Sequence, residues 1–255
     1  MRRCTLLSLL FALLLSLSAC AGRSSGPLPV SEYRVSGGQL LLVLADDFDS
    51  RVGELRAYER GSKGWELVRG PLFVNLGRNG LAWGAGLHGE NPAGAQAKRE
   101  GDGRAPVGAF ALGEGFASDP AEVGETKIPV LRADEDLVCV DDLLSPHYNA
   151  IVRKADVKPD WNSVEDMLRK DGQYRLGAFV RHNADPVRPG GGSCIFIHIW
   201  LKRDFGSSGC TNMAPDDMLA LLRWLDPSRQ PVLVQLPKAE YGQLRTAWNL
   251  PDIGR

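Results

Sequence analysis

The chain has no excess of charge of one sign, because its 30 lysines and arginines face 31 aspartates and glutamates. It also lacks a basic run, so the electrostatic footprint of nucleic-acid binding is missing. We find no internal repeat and no low-complexity segment, and the apolar run at 6–17 is too short to span a bilayer comfortably. These absences exclude a nucleic-acid partner, a repeat array and a protein with several membrane spans.

The N-terminus is typical of an exported protein. Two arginines precede the apolar run, which predicts a secretory signal peptide over residues 1–19. The sequence Leu-Ser-Ala-Cys that ends at Cys20 resembles the lipobox of bacterial lipoproteins. That resemblance implies cleavage before Cys20 and lipidation of this residue; ordinary cleavage beside an incidental cysteine is the alternative. Ala21, where an aspartate would signal inner-membrane retention, favours the outer membrane.

The domain organisation that follows is simple. Residues 20–36 predict a lipidated cysteine and a flexible tether, rich in Gly, Ser and Pro. Residues 37–255 then form one domain, long enough to bury a substantial core. Removing residues 1–19 takes two arginines away, so the mature net charge is 28 − 31 = −3.

Short apolar runs dominate this domain, separated by Gly, Pro and Asp. Helical patterns are fewer, at 163–169, 215–224 and 239–248. Too few helices alternate with strands for a parallel α/β sheet, so we expect a mostly-β sandwich or barrel with a few covering helices. The predicted strands lie at 39–45, 53–58, 65–68, 128–131, 137–140, 174–182, 193–200 and 231–236.

The strand predicted at 193–200 carries the most informative chemistry. Side chains alternate along a strand, so one face should carry Ile195, Ile197 and Ile199, and the other Cys194, Phe196, His198 and Trp200. The small-residue turn at 206–209 then presents Cys210. A cysteine beside an imidazole can serve as an acyl-transfer nucleophile, with turn amides facing an oxyanion. The imidazole and the amides are expected to lower the pKa of Cys210.

Other interpretations of these residues remain open at this point. A lone cysteine is often a small buried hydrophobe, and a lone histidine is often a core residue. A zinc site of Cys194, His198 and Cys210 is disfavoured, since Cys194 and His198 would lie about 13 Å apart along a strand. We therefore predict no metal. Cys139 and Cys194 could form a disulfide in an exported protein or remain buried thiols.

Segments around this strand resemble a known family. His198 followed by Ser-Ser-Gly-Cys-Thr-Asn-Met at 207–213 is similar to the signature of the L,D-transpeptidase catalytic domain (YkuD type). The stretch Arg-Ala-Pro-Val-Gly-Ala-Phe at 104–110 adds a Pro-x-Gly-x-Phe segment found in one branch of that family. Further similar segments lie at 80–84, 98–103, 139–142, 160–163 and 192–196.

The resemblance implies a role for each matched residue. Cys210 corresponds to the nucleophile and His198 to its general base, while Gly209 and the Cys210 amide fall at the oxyanion hole. Asn212 stands where many members carry arginine, and the short gap between His198 and Cys210 implies a reduced lid. The residues assigned to substrate binding are Ser207, Ser208, Asn212 and His182, the last with a structural role in a turn as the favoured alternative.

The implied function is acyl transfer on peptidoglycan stem peptides through a thioester, without a cofactor. The acceptor would be an amine on a second stem or on a lipoprotein. Two alternatives stay open: a peptidase or amidase of the same fold that cleaves stems or protein–peptidoglycan links, and an inert wall-binding lipoprotein. Together with the N-terminal signal, the resemblance implies a cell-envelope protein on the periplasmic face, lipid-anchored, in the outer membrane.

Overall fold

A computed structural model describes residues 30–254 of the chain. The predicted signal peptide at 1–19 and the predicted lipidation of Cys20 lie outside the described residues. Between residues 30 and 254, no helix is both long and apolar enough to cross a membrane.

This part of the chain contains thirteen strands and three α-helices. The helices are α1 (Pro120–Val123), α2 (Pro215–Trp224) and α3 (Lys238–Leu244). The strands are β1 (Gln39–Ala45), β2 (Val52–Gly61), β3 (Gly64–Asn75), β4 (Leu81–Trp83), β5 (Ala105–Ala117), β6 (Val130–Arg132), β7 (Leu137–Val140), β8 (Ile151–Arg153), β9 (Val164–Asp166), β10 (Leu176–Val180), β11 (Phe196–Ile199), β12 (Thr211–Met213) and β13 (Val232–Pro237).

Eight of these strands close into a barrel. Their order is β10, β11, β12, β3, β2, β1, β13 and β5, and β5 pairs again with β10 to complete the ring. The short strands β4 and β6 run parallel to β5. The predicted mostly-β fold with few helices is confirmed, and of the two expected architectures the chain adopts the barrel.

The barrel interior holds the main hydrophobic core. All seven residues of β1 are buried, which explains its uninterrupted apolar sequence. Helix α2 begins at Pro215, where the missing amide proton costs no helical hydrogen bond. The helix buries Met218, Leu221 and Leu222, one apolar stripe at helical spacing, against the barrel.

A second, smaller sheet covers part of the barrel's outer face. It is antiparallel, with β7 between β8 and β9. Leu137 and Cys139 of β7 share a second hydrophobic core with Phe116 and Phe196 of the barrel strands. This covering layer matters for function because Cys210 belongs to the same core.

The prediction of a helix at 163–169 is wrong. Val164–Asp166 forms β9, an edge strand in which Cys139 pairs with Glu165 and Val138 with Asp166. Seven residues give a helix little intrinsic stability, and pairing with the buried strand β7 overrides the local pattern. The final helix, predicted at 239–248, is Lys238–Leu244.

The longest strand, β5, has no strand-like sequence pattern, because Gly and Ala dominate its sequence, and it was not predicted. The barrel explains this composition. Gly108 has φ +139°, and a Cβ there would lie 2.2 Å from the His88 ring. Only glycine therefore allows β5 to pass this close to a buried side chain.

The folded body begins before residue 37. Tyr33 and Val35, which lie in the segment predicted as a tether, are buried in the main core. The Tyr33 ring packs edge-on against Trp248 at 5.1 Å, and the Val35 amide donates to the Trp248 carbonyl at 3.0 Å. The N-terminal segment is thereby held against the C-terminal residues.

Candidate active site

Strand β11 separates its two faces as the alternation predicts. Ile195, Ile197 and Ile199 point into the main barrel core, whereas Phe196 lies in the second core outside the barrel. His198 shares this outer face, and its ring packs against the edge of the Tyr174 ring at 5.1 Å. The imidazole is therefore between the barrel wall and the covering layer, not in the barrel interior.

Parallel pairing brings Cys210 to the same face. Strands β11 and β12 align Ile197 with Thr211 and His198 with Asn212, so Cys210 lies beside the start of β11. The Phe196 amide donates to the Cys210 Sγ at 3.3 Å, and this thiol faces the Cys194 carbonyl at 3.6 Å. Cys210 is the free cysteine of the described region and is 6% exposed.

Cys210 and His198 line one pocket of about 340 Å³. The pocket lies between the barrel and the small sheet, with further walls from residues near 98–101, 165–174 and 205–209. Side chains on opposite sides of a sheet could not share such a cavity. The thiol and the imidazole that the sequence pairs therefore reach the same cavity, and no hydrogen bond joins them directly within residues 30–254.

The hydrogen bonding of His198 defines which nitrogen can act as a base. Its Nδ1 lies 2.8 Å from the Ile199 carbonyl. Since a carbonyl oxygen only accepts, this contact assigns the ring proton to Nδ1 and the lone pair to Nε2. The Gln173 backbone also hydrogen-bonds the ring and raises its pKa, so a thiol must compete with that backbone group for the imidazole. Burial lowers the pKa of His198 to about 4, so the imidazole is neutral at neutral pH. A neutral, oriented imidazole is suited to accept a proton.

The expected lowering of the Cys210 pKa is wrong for the resting structure. Burial raises the pKa of this thiol to about 12, and the nearby Glu165 carboxylate raises it further. The Phe196 amide opposes this effect but does not overcome it. The resting pocket consequently contains a neutral thiol and a neutral imidazole. Proton transfer to His198 must then accompany attack on a substrate.

The turn before Cys210 is held by its own hydroxyl groups. Ser207 Oγ donates to the Cys210 carbonyl at 2.5 Å and accepts from the Gly209 amide at 3.0 Å. Ser208 Oγ accepts from Arg78 at 2.8 Å. Gly209 has φ +146°, and a Cβ there would lie 3.0 Å from the Arg104 carbonyl, which explains the glycine.

The hydrogen bonds of this turn limit which amides are available to form the predicted oxyanion hole. The Gly209 amide already donates to Ser207 Oγ, so an oxyanion would have to compete with that hydroxyl for it. The other predicted donor, the Cys210 amide, directly precedes β12, and its residue lines the pocket. Ser207, Ser208 and Gly209 all line the pocket, as expected for residues near the nucleophile.

Two residues predicted to bind substrate lie away from the pocket lining. Asn212 is buried, and its Oδ1 accepts from Asn75 at 2.9 Å. His182 Nδ1 accepts from the Ala85 amide at 3.2 Å, and its Nε2 donates to the Gly191 carbonyl at 2.9 Å. Both ring nitrogens of His182 are satisfied, which matches the structural role weighed for it.

Cys139 and Cys194 form a disulfide, with their Cα atoms 5.9 Å apart. The sequence left this pairing open. The bond joins β7 of the small sheet to the residues that lead into β11, and Cys194 also contacts the nucleophile through its carbonyl. It therefore fixes the covering layer beside Cys210.

Several residues that line the pocket carry no motif in the sequence and were not predicted as site residues. Most of them lie in the segment 165–174, and part of this segment was predicted as a helix. A helix would not have placed these side chains on one side of the chain. The alternation of a strand at 164–166 would have placed Glu165 on one face, had the pairing with β7 been known. The residues concerned are Lys98, Glu100, Asp141, Glu165, Arg169, Gln173 and Tyr174.

Comparison with known protein families agrees with this geometry. The family described as the L,D-transpeptidase catalytic domain (YkuD) matches residues 53–234, a range that includes both His198 and Cys210. The match covers well over half of the chain, so this protein belongs to the L,D-transpeptidase catalytic domain family. Membership supports L,D-transpeptidase-type activity on peptidoglycan at the level of the family. No curated protein and no solved structure matches the chain.

Proposed function

We propose that this protein is a cysteine-dependent acyl transferase that acts on peptidoglycan stem peptides through a thioester on Cys210. The observation that carries the proposal is the shared pocket, in which a buried thiol and a neutral imidazole face the same space. The family match supplies the substrate class.

The first half-reaction follows from the protonation states. His198 Nε2 takes the thiol proton as Sγ of Cys210 attacks the carbonyl of the third stem residue. The tetrahedral oxygen accepts a hydrogen bond from the Cys210 amide. When the intermediate collapses, the carbon–nitrogen bond breaks and His198 returns its proton to the departing D-alanine amine. A thioester then joins the stem to Cys210.

The second half-reaction decides the product. Attack on the thioester by an acceptor amine forms a new amide, whereas attack by water trims the stem. An amine on a second stem would give a cross-link, and an amine on a lipoprotein would give a protein–peptidoglycan link. We propose amine transfer and treat hydrolysis as the alternative outcome.

Product analysis tests this proposal. Purified protein is incubated with tetrapeptide muropeptides, and the products are separated by mass spectrometry. We expect dimers with release of D-alanine, and no turnover by Cys210→Ser. Trimmed monomers alone would assign a hydrolase, and turnover that survives Cys210→Ser would refute the cysteine mechanism.

The anchor and the location belong to the same proposal and rest on the sequence around Cys20. We propose that Cys20 is lipidated and that the enzyme faces the periplasm from the outer membrane. Membrane fractionation of the wild type and Cys20→Ala tests this, since the variant should appear in the soluble periplasmic fraction. Equal membrane association of both would contradict it.

A further inference from the structure

Strand register places Glu165 at the wall of the pocket that contains the candidate nucleophile. Glu165 of β9 lies directly opposite Cys139 of β7, so their side chains project from the same face of the small sheet. Cys139 is bonded to Cys194, whose carbonyl is 3.6 Å from Cys210 Sγ. The Glu165 side chain consequently lines the pocket that contains Cys210 and His198.

Glu165 has a cation nearby, Arg169, but forms no ion pair with it within residues 30–254. Its hydrogen-bond partner is the Tyr174 hydroxyl, which donates to Oε2, and the Tyr174 ring in turn packs against His198. The nearby Arg169 pairs with Asp171 at 2.5 Å. Within residues 30–254, no lysine, arginine or histidine forms an ion pair with Glu165. A carboxylate of this kind, largely buried at a pocket wall, can receive a cation from the substrate.

We propose that Glu165 binds the ammonium group of the acceptor and takes its proton before the amine attacks the Cys210 thioester. This inference rests on the proposed function and identifies the residue that favours an amine over water. The attacking nitrogen must be neutral, because an ammonium ion has no lone pair. The imidazole alone would have to remove two protons in succession.

The electrostatics of the site are consistent with this role. The Glu165 carboxylate raises the pKa of the Cys210 thiol, so its field reaches the sulfur. Because Glu165 and Cys210 line the same pocket, an ammonium ion held by Glu165 would lie in the cavity that contains the thioester. Burial raises the pKa of Glu165 itself and makes it a stronger proton acceptor. The ionisable groups around it are Glu100, Asp141, Arg169, Tyr174 and Cys210, with Lys98 and His198 also at the pocket wall.

The step balances without a further reactant. One ammonium proton passes to the Glu165 carboxylate, and the freed lone pair forms a carbon–nitrogen bond to the thioester carbonyl. As the carbon–sulfur bond breaks, the sulfur leaves as a thiolate. The second nitrogen proton passes through His198 to that thiolate and restores the thiol. Glu165 then releases its proton to solvent.

The test separates the two half-reactions in Glu165→Gln. Thioester formation from a tetrapeptide donor is measured by intact mass, and its resolution is measured with two nucleophiles at pH 7. One is a stem-peptide amine, which is cationic, and the other is hydroxylamine, which is uncharged. We expect thioester formation no slower than in wild type, because loss of the carboxylate removes one cause of the raised Cys210 pKa. Resolution by the cationic amine should be slowed about tenfold or more relative to resolution by hydroxylamine.

Two further variants control for structural effects. Glu114→Gln makes the same chemical change at an ion pair with Arg181, outside the pocket, and should match wild type in both half-reactions. Glu165→Asp keeps the charge and should restore part of the amine transfer. If Glu165→Gln does not fold, the aspartate variant carries the test through its ratio of amine to hydroxylamine resolution, which should fall below that of wild type.

The failures are distinguishable. If the wild type forms no thioester, both the proposed function and this inference are wrong. If the wild type forms the thioester and Glu165→Gln resolves it with both nucleophiles at wild-type rates, this inference alone fails. Equal slowing with both nucleophiles would also overturn it, because a merely structural role predicts that result. An aspartate variant with an unchanged ratio would contradict it in the same way.

Discussion

Lowering the pH from 7 to 5 should leave acylation of Cys210 almost unchanged. Burial lowers the pKa of His198 to about 4, so the proton-accepting neutral imidazole persists well below the usual range. At pH 5 about nine tenths of the imidazole would be neutral, whereas a ring with the ordinary pKa of about 6.5 would be about 3% neutral. The structure therefore predicts a roughly thirtyfold difference in rate at that pH.

The assay is acylation by a carbapenem, which should add covalently to Cys210 and gives an adduct visible by intact mass. Rates are measured from pH 4 to 8, with thermal unfolding followed at each pH to confirm that the protein is folded. The acid limb should have its midpoint near pH 4. A midpoint near 6.5 would refute the argument, since it would mean that the His198 ring is hydrated and ionises normally.

The same reasoning predicts the behaviour of the resting thiol. With the pKa of Cys210 raised to about 12, iodoacetamide should alkylate it slowly at pH 7 and progressively faster as the pH rises. Carbapenem acylation should nevertheless proceed at pH 7, because His198 removes the proton during attack. Rapid alkylation with a plateau at low pH would instead demonstrate a preformed thiolate–imidazolium pair.

Other expectations follow from single contacts. Gly209→Ala should slow acylation and destabilise the fold by about 1–2 kcal/mol, measured by urea unfolding, because φ +146° strains any L-residue; unchanged values would contradict the need for glycine. Asn212→Ala should cost about 1–3 kcal/mol of stability, since it removes one of the two acceptors of the Asn75 side-chain amide and leaves the one at Lys202. Carbapenem acylation should stay near wild type. Replacing Cys139 and Cys194 together by alanine should lower the free energy of unfolding by about 2–4 kcal/mol and slow acylation. A stable variant with normal activity would show that the disulfide does not position the site. His182 has its pKa lowered from 6.5 to about 3 by burial, so the unfolded state takes up the proton first and stability falls as the pH drops below 6.5. At pH 5 this costs about 2 kcal/mol, which His182→Gln should remove from the pH dependence of urea unfolding.

Local patterns predicted the elements whose sequence and environment agree. The runs at 39–45 and 137–140 match β1 and β7, and the helix at 215–224 matches α2, because each buries an apolar face with the period of its own structure. The alternation in β11 and the glycine turn also predicted that His198 and Cys210 reach the same face, and both line one pocket. These features depend on residues close together in the sequence.

Long-range pairing determined what the sequence analysis missed. Strand β5 is rich in glycine for reasons visible only once His88 packs against Gly108. Segment 163–169 became an edge strand because β7 offered hydrogen bonds across the small sheet. Glu165 entered the site through that pairing, so no local motif could have revealed it. The raised pKa of Cys210 likewise arises from burial under the covering layer and from Glu165. Neither can be predicted from the sequence of the turn at 206–209.

The central claim is that Cys210 carries the acyl group. Its most direct test is the mass of the protein after brief incubation with a tetrapeptide donor, followed by peptide mapping of the adduct. The account predicts a mass increase equal to the donor minus D-alanine, located on Cys210 and reversed by hydroxylamine. An adduct on another residue, or turnover of the donor with no adduct on Cys210 under rapid quenching, would contradict it.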